Sequence, residues 1–385
     1  MMRKFVRTNI AVLCATLVGG CSGLRLPHPL SIGPSDWTMF GKTGERMDAT
    51  TETITPPLTL AWDYDVTGGI GKGSPLVVDS VLLVGNMRGE LHAVNSYTGK
   101  RIGWVDLGDA IESSPTLDGN IAVVSLSNTR LSLVAFDLLE GKAAWKMPLG
   151  DIEASPLIFG RRIYVGNTSG TLFCVQPSTG ETLWKFELPR NNTHEGIRSA
   201  AAASDSSVVF GAEDGVLYCL NPETGNLKWE YDSKGPIVST PCIGEGRVYI
   251  GNLNGTLSAV SMESGALLWK SETNAGIYAS ASYAEDKVFI GTTGGEMYAF
   301  DGANGNVAWK TSLGSVINSG GLVAGNILYV GTLKKTLFGL DISDGKVVAR
   351  EEVEGRIKTS PALAHGMLFV ATDDRLILAF KSSVP

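Results

Sequence analysis

The chain has 385 residues, 43% of them hydrophobic and 18% charged, which is ample apolar material for a large core. A formal charge of −7 argues against nucleic acid as a partner, because phosphate binding needs a basic face. Glycine, at 47 of 385 residues, is well above the usual ~7%, and the excess falls on regularly spaced turns rather than in a disordered tract.

Residues 1–20 read as a signal peptide. Arg3, Lys4 and Arg7 precede Ile10–Val18, an apolar run too short for a bilayer that needs ~20 residues. Leu17-Val18-Gly19-Gly20-Cys21 resembles the lipobox of bacterial lipoproteins, which makes Cys21 the expected lipidated N-terminus. Ser22 follows where an Asp would direct retention, so the resemblance implies the outer membrane, with the chain facing the periplasm. Loss of residues 1–20 removes three basic and no acidic side chains and leaves a net charge of −10.

Residues 21–58 carry five prolines among polar residues and are expected to form an extended tether. Within it, Trp37-Thr38-Met39-Phe40 is expected to pack back on the body. Leu58–Asp65 follows, with Trp62, and looks like the last strand of a repeat lacking its first three.

Residues 59–385 are then a repeat array. The register of Pro241 recurs at Pro75, Pro115, Pro156, Ala201, Ala281, Gly321 and Pro361, at steps of 40 to 45 residues. Ten residues on stand Gly85, Ser125, Gly166, Gly211, Gly251, Gly291, Gly331 and Ala371. Near each unit's end comes Trp104, Trp145, Trp184, Trp229, Trp269 or Trp309, with Ala349 in the seventh. The unit Gly235–Lys270 reads as strands Ile237–Ile243, Arg247–Ile250, Leu257–Val260 and Leu267–Lys270, separated by glycine turns. Four short strands at this period predict an all-β fold, an eight-bladed β-propeller of four-stranded antiparallel blades. Residues 355–381 lack an outer strand, so Leu58–Asp65 is expected to complete that blade and close the ring.

Little chemistry is visible. Cys174 and Cys219 occupy a slot held elsewhere by Ala93, Ala135, Ala259 and Ala299, and so read as core thiols. The four histidines have no metal-ligand spacing, and the Asp301–Gly305 and Asn221–Gly225 segments are too short for a calcium loop. No cofactor or metal is expected.

The motifs Ala135-x-Asp137-x-x-x-Gly141-x-x-x-Trp145 and Ala299-x-Asp301-x-x-x-Gly305-x-x-x-Trp309 resemble the tryptophan-docking repeat of quinoprotein alcohol dehydrogenases. In that family the tryptophan locks adjacent blades. The adjacent-cysteine pair of those enzymes has no counterpart in this chain. Lipobox, tether and eight small blades together resemble the BamB family of lipoproteins, which serve the machinery that assembles outer-membrane β-barrels.

Two sets of candidate site residues follow. Between Trp184 and Ala201 lies a polar insertion, where Arg190, His194, Glu195 and Arg198 are candidates for contact with a protein partner. Three residues before the Pro position, side chains diversify: Lys72, Glu112, Glu153, Arg198, Tyr278, Asn318 and Lys358 are expected to ring the channel mouth. The function implied is a non-enzymatic periplasmic scaffold, held to the membrane by lipid on Cys21. It docks an outer-membrane β-barrel assembly subunit or another envelope protein. The alternative is a propeller that binds a quinone cofactor or another small ligand in its channel, with oxidoreductase activity as one form of that reading.

Overall fold

A computed structural model describes residues 23–127, 131–189, 196–204 and 206–383. The expected signal peptide, Cys21, and the insertion residues Arg190, His194 and Glu195 lie outside the described residues.

Eight blades of four antiparallel strands stand around a central axis, as the repeat predicts, and Ala49–Thr50 adds a fifth, parallel strand to the seventh blade. Blade five shows why the sequence folds this way. Its strands are Cys242–Gly244, Arg247–Gly251, Thr256–Ser261 and Leu267–Glu272. The three inner strands are apolar on both faces because neighbouring blades cover both. The outer strand alternates, burying Trp269 while Leu268 and Lys270 are exposed. The first strand begins at Cys242, not at the expected Ile237. Residues 237–241 instead carry the chain along the channel wall, where Val238 and Thr240 line the opening and Thr240 bonds to the next blade.

Two contacts join each blade to the next. The glycine ten after the Pro position leaves room for an isoleucine: a Cβ on Gly251 would lie 2.3 Å from Ile277 Cγ2. The same fit recurs at Gly211 with Ile237, Gly291 with Ile317 and Gly331 with Ile357. Tryptophan docking is the second contact. Trp269 donates Nε1–H to the Gly302 carbonyl at 3.0 Å and lies over Gly305, whose φ of 75° no β-branched residue would adopt comfortably.

The ring closes as expected. Leu58–Asp65 pairs antiparallel with Leu376–Ser382, and Trp62 docks across to blade one through the Ser96 carbonyl at 3.0 Å. Pairing the two termini removes the free edges that a linear array would leave.

Blade one corrects the tryptophan assignment. Ala93 faces Gly103, so Trp104 falls one residue beyond the docking slot and stacks instead near His92, with ring centroids 6.2 Å apart. The slot is filled by the N-terminal segment. A Cβ on Gly103 would come within 2.6 Å of the Gly23 carbonyl, and Leu26 donates its N–H to the Leu138 carbonyl at 2.7 Å.

The segment expected to be an extended tether is therefore packed on the body from residue 24 onward. Leu24, Leu26, Trp37 and Ile54 are buried. Residues 37–50 cross one end of the channel and pair with the innermost strands. Carbonyls of Trp37, Thr38, Gly44, Glu45, Met47 and Asp48 accept the N–H groups of Val77, Leu117, Ala203, Ile243, Tyr283 and Val323 at 2.8–3.2 Å. Each donor is the second residue after its blade's Pro position. These N–H groups sit on the strand edge facing the axis, where the strap satisfies donors that would otherwise be buried and unpaired.

Candidate functional site: the channel and its mouth

Connections between second and third strands, and from each outer strand to the next blade, gather at the end of the channel opposite the strap. Six of the seven expected ring residues line the opening there: Lys72, Glu153, Arg198, Tyr278, Asn318 and Lys358. Glu112 does not. Its carboxylate accepts a hydrogen bond from Ser127 Oγ at 3.3 Å, so this side chain lies to one side of the opening.

The charges at the mouth are committed to each other. Arg198 donates Nε–H to Glu213 at 3.0 Å and a second N–H to Glu153. Glu153 is also 3.5 Å from Lys72 Nζ, and Lys358 Nζ is 3.1 Å from Asp373. Burial opposes ionisation of Asp373, yet hydrogen bonds from Arg356 and Lys358 hold its carboxyl below the usual range. Tyr278, 47% exposed, is the large apolar surface at the opening, and Met87 and Leu131 are exposed in turns on the same face.

Below the ring the wall narrows, because eight first strands converge on the axis and only small side chains fit. Hydroxyls there link blade to blade: Ser74 donates its N–H to Ser114 Oγ at 2.8 Å, and Thr240 donates its N–H to Ser280 Oγ at 3.2 Å. Phe40 of the strap lines the base, leaving a cavity of about 90 Å³.

Sequence reasoning missed the strap's two buried charges. Arg46 is fully buried and spends its donors on the carbonyls of Phe40, Pro156 and Ala201. Burial lowers it to about 9, against the pull of Asp48. Asp48 is likewise fully buried, and burial raises its carboxyl to about 8, opposed by Arg46. Nothing in a proline-containing polar stretch marks such residues as interior. A third cluster sits where blade eight meets blade one. There Tyr64 donates to His92 Nδ1 at 3.1 Å, and His92 Nε2–H donates to Glu90 at 3.2 Å. Burial keeps His92 below its ordinary value.

Among the described residues no group of three or more His, Cys, Asp or Glu side chains could hold a metal ion. Cys174, Cys219 and Cys242 are free and buried, as the repeat alignment implies for the first two.

The sequence pattern of the PQQ_2 family, described as outer membrane protein assembly factor BamB, matches residues 56–199, 168–320 and 313–383. The chain is 25% identical over 126 residues to the outer membrane protein assembly factor BamB of Burkholderia pseudomallei, covering 31% of this chain and 32% of that protein. It is 27% identical over 212 residues to a quinohemoprotein alcohol dehydrogenase of Comamonas testosteroni, covering 54% of this chain and 25% of the enzyme. The chain thus spans a third or less of the length of these two curated relatives. In fold it is similar to the crystal structure of BamB from Moraxella catarrhalis, with a TM-score of 0.73 at 21% identity, covering 86% of this chain and 99% of that one.

Proposed function

The chain belongs to the PQQ_2 family, described as outer membrane protein assembly factor BamB, and from that premise we propose that it is a non-enzymatic scaffold of outer-membrane protein assembly. In this reading it is anchored by lipid on Cys21, faces the periplasm, and docks a barrel-assembly subunit at the channel-mouth face. The observation that carries the reading is the closed channel. A cofactor-sized ligand needs a cavity of about 300 Å³ or more, whereas the strap leaves about 90 Å³ in this one. Converging first strands, with Phe40 of the strap at the base, occupy the space that a channel ligand would need.

Docking by the mouth face is supported by what is presented there. Tyr278 stands exposed on a ring whose charges are already paired, so a partner meets a rim that presents one aromatic side chain. Aromatic anchors of this kind carry much of the energy of protein interfaces. In the sequence, the insertion with Arg190, His194 and Glu195 leads directly to Arg198, and it belongs to the proposed contact.

The test is capture of partners from detergent-solubilised outer membrane. Tyr278→Ala, or replacement of Arg190–Glu195 by a short Gly-Ser turn, should weaken capture of a barrel-assembly subunit about tenfold or more. Circular dichroism should be unchanged. Equal capture by wild type and both variants would remove the mouth face from the proposal. Dye-linked alcohol oxidation on addition of quinone cofactor and calcium would favour an enzyme instead.

A further inference from the structure

We infer that the outer rim of blades one and two rests against the membrane surface, an inference that depends on the lipidation of Cys21 proposed above. The argument begins with chain length. Only Ser22 separates Cys21 from Gly23, and a chain spans at most about 3.5 Å per residue, so Cys21 lies within about 7 Å of Gly23. Gly23 is not at the end of a free tether. Its carbonyl is pressed against Gly103 in the outer strand of blade one, and the next residues are fixed to blade two. Leu24 and Leu26 are buried, Leu26 donates to the Leu138 carbonyl at 2.7 Å, and Arg25 donates Nε–H to the Leu139 carbonyl at 2.6 Å. Acyl chains on Cys21 therefore leave the protein at this rim and nowhere else.

The rim has the charge that such a surface needs. Arg25, Lys100, Arg101, Lys142 and Lys146 are exposed there, against exposed Asp106 and Glu140. This basic edge belongs to a chain whose overall charge is negative. Anionic phospholipid headgroups attract juxtamembrane lysine and arginine, and the lipid anchor supplies the second signal that stable membrane attachment requires. Blades five and six, across the ring, then point into the aqueous compartment, and the mouth face stands on edge to the bilayer, open to a partner from the side.

The experiment uses the full-length lipidated protein in vesicles of phosphatidylethanolamine and phosphatidylglycerol containing a doxyl-labelled lipid. A fluorophore is attached at Lys146→Cys or at Lys310→Cys, residues that follow Trp145 and Trp309 on blades two and six and occupy the same place in the repeat. The buried Cys174, Cys219 and Cys242 do not compete for the label. We expect several-fold stronger quenching at 146 than at 310. The difference should be lost in Leu24→Ser/Leu26→Ser, which frees the segment while keeping the lipid. Intact-mass measurement of Cys21 separates the two possible failures. A lipidated protein with equal quenching at both positions overturns rim docking and leaves the lipoprotein reading standing. A protein without lipid on Cys21 overturns that reading, and the docking inference with it.

Discussion

Leu26 donates its backbone N–H to the Leu138 carbonyl at 2.7 Å, in the place where six other blades receive a tryptophan indole. The substitution works because Gly103 has no side chain, which leaves room for the chain at residues 23–25. We predict that Gly103→Val expels that segment, since even a Cβ would meet the Gly23 carbonyl at 2.6 Å. The expected cost is about 1–3 kcal/mol. Limited proteolysis should then cut near Leu24 in the variant and not in wild type. Equal resistance would mean that the segment does not depend on this slot.

Trp269→Ala should cost about 3–5 kcal/mol, combining loss of a large buried ring with an unpaired Gly302 carbonyl. Denaturant unfolding measures it. A loss below ~1 kcal/mol would show that blade docking does not rest on the indole.

The fit between Gly251 and Ile277 predicts coupling between blades. Gly251→Ala places a Cβ 2.3 Å from Ile277 Cγ2 and should destabilise by about 1–3 kcal/mol. Ile277→Ala removes the clashing methyl, so the double variant should lose less than the sum of the two single losses. Strict additivity in a double-mutant cycle would refute the contact.

Asp48 predicts a pH dependence. Neither carboxylate oxygen accepts a hydrogen bond from a described residue, and burial raises the group to about 8 from an unfolded value of 3.8. Between those values the folded protein keeps a proton that the unfolded chain releases. Stability from this group is therefore fully present below about pH 4 and falls as pH rises, levelling above about pH 8. The loss across the window is on the order of a few kcal/mol. Asp48→Asn, with no proton to lose, should flatten melting temperature against pH over the same range. An unchanged slope would assign the dependence to other groups.

Opening the ring should be drastic. Deleting Leu58–Asp65 removes the partner of Leu376–Ser382 and the Trp62 indole that docks on Gly99, and bares an edge prone to pairing with other chains. Aggregation or loss of the cooperative unfolding transition is expected. A variant that melts like wild type would show that closure lies elsewhere.

Much of the channel mouth was legible from internal comparison alone. Lys72, Glu153, Arg198, Tyr278, Asn318 and Lys358 share one place in the repeat, and identical folding of each unit brings them to one ring. Glu112 shares that place and still turns aside, because Ser127 offers its carboxylate a local donor. Arg198 reads in the sequence as a candidate for partner contact and for the channel-mouth ring. In the structure Glu153 and Glu213 occupy it, a pairing across blades that no single unit can reveal.

The sequence by itself determined the blade and the number of blades. Short apolar runs, turn glycines and a period near 40 are local signals, and each unit must bury its faces against a copy of itself. The complementary fragments at the two ends likewise determined how the ring closes. Only the tertiary structure decided what fills the channel and where the N-terminal segment lies. Residues 24–50 have no repeat to place them and no periodicity to show an apolar face. Their position follows from vacancies the finished ring creates, at Gly103 and along the axial strand edges, which exist only once all eight blades have met.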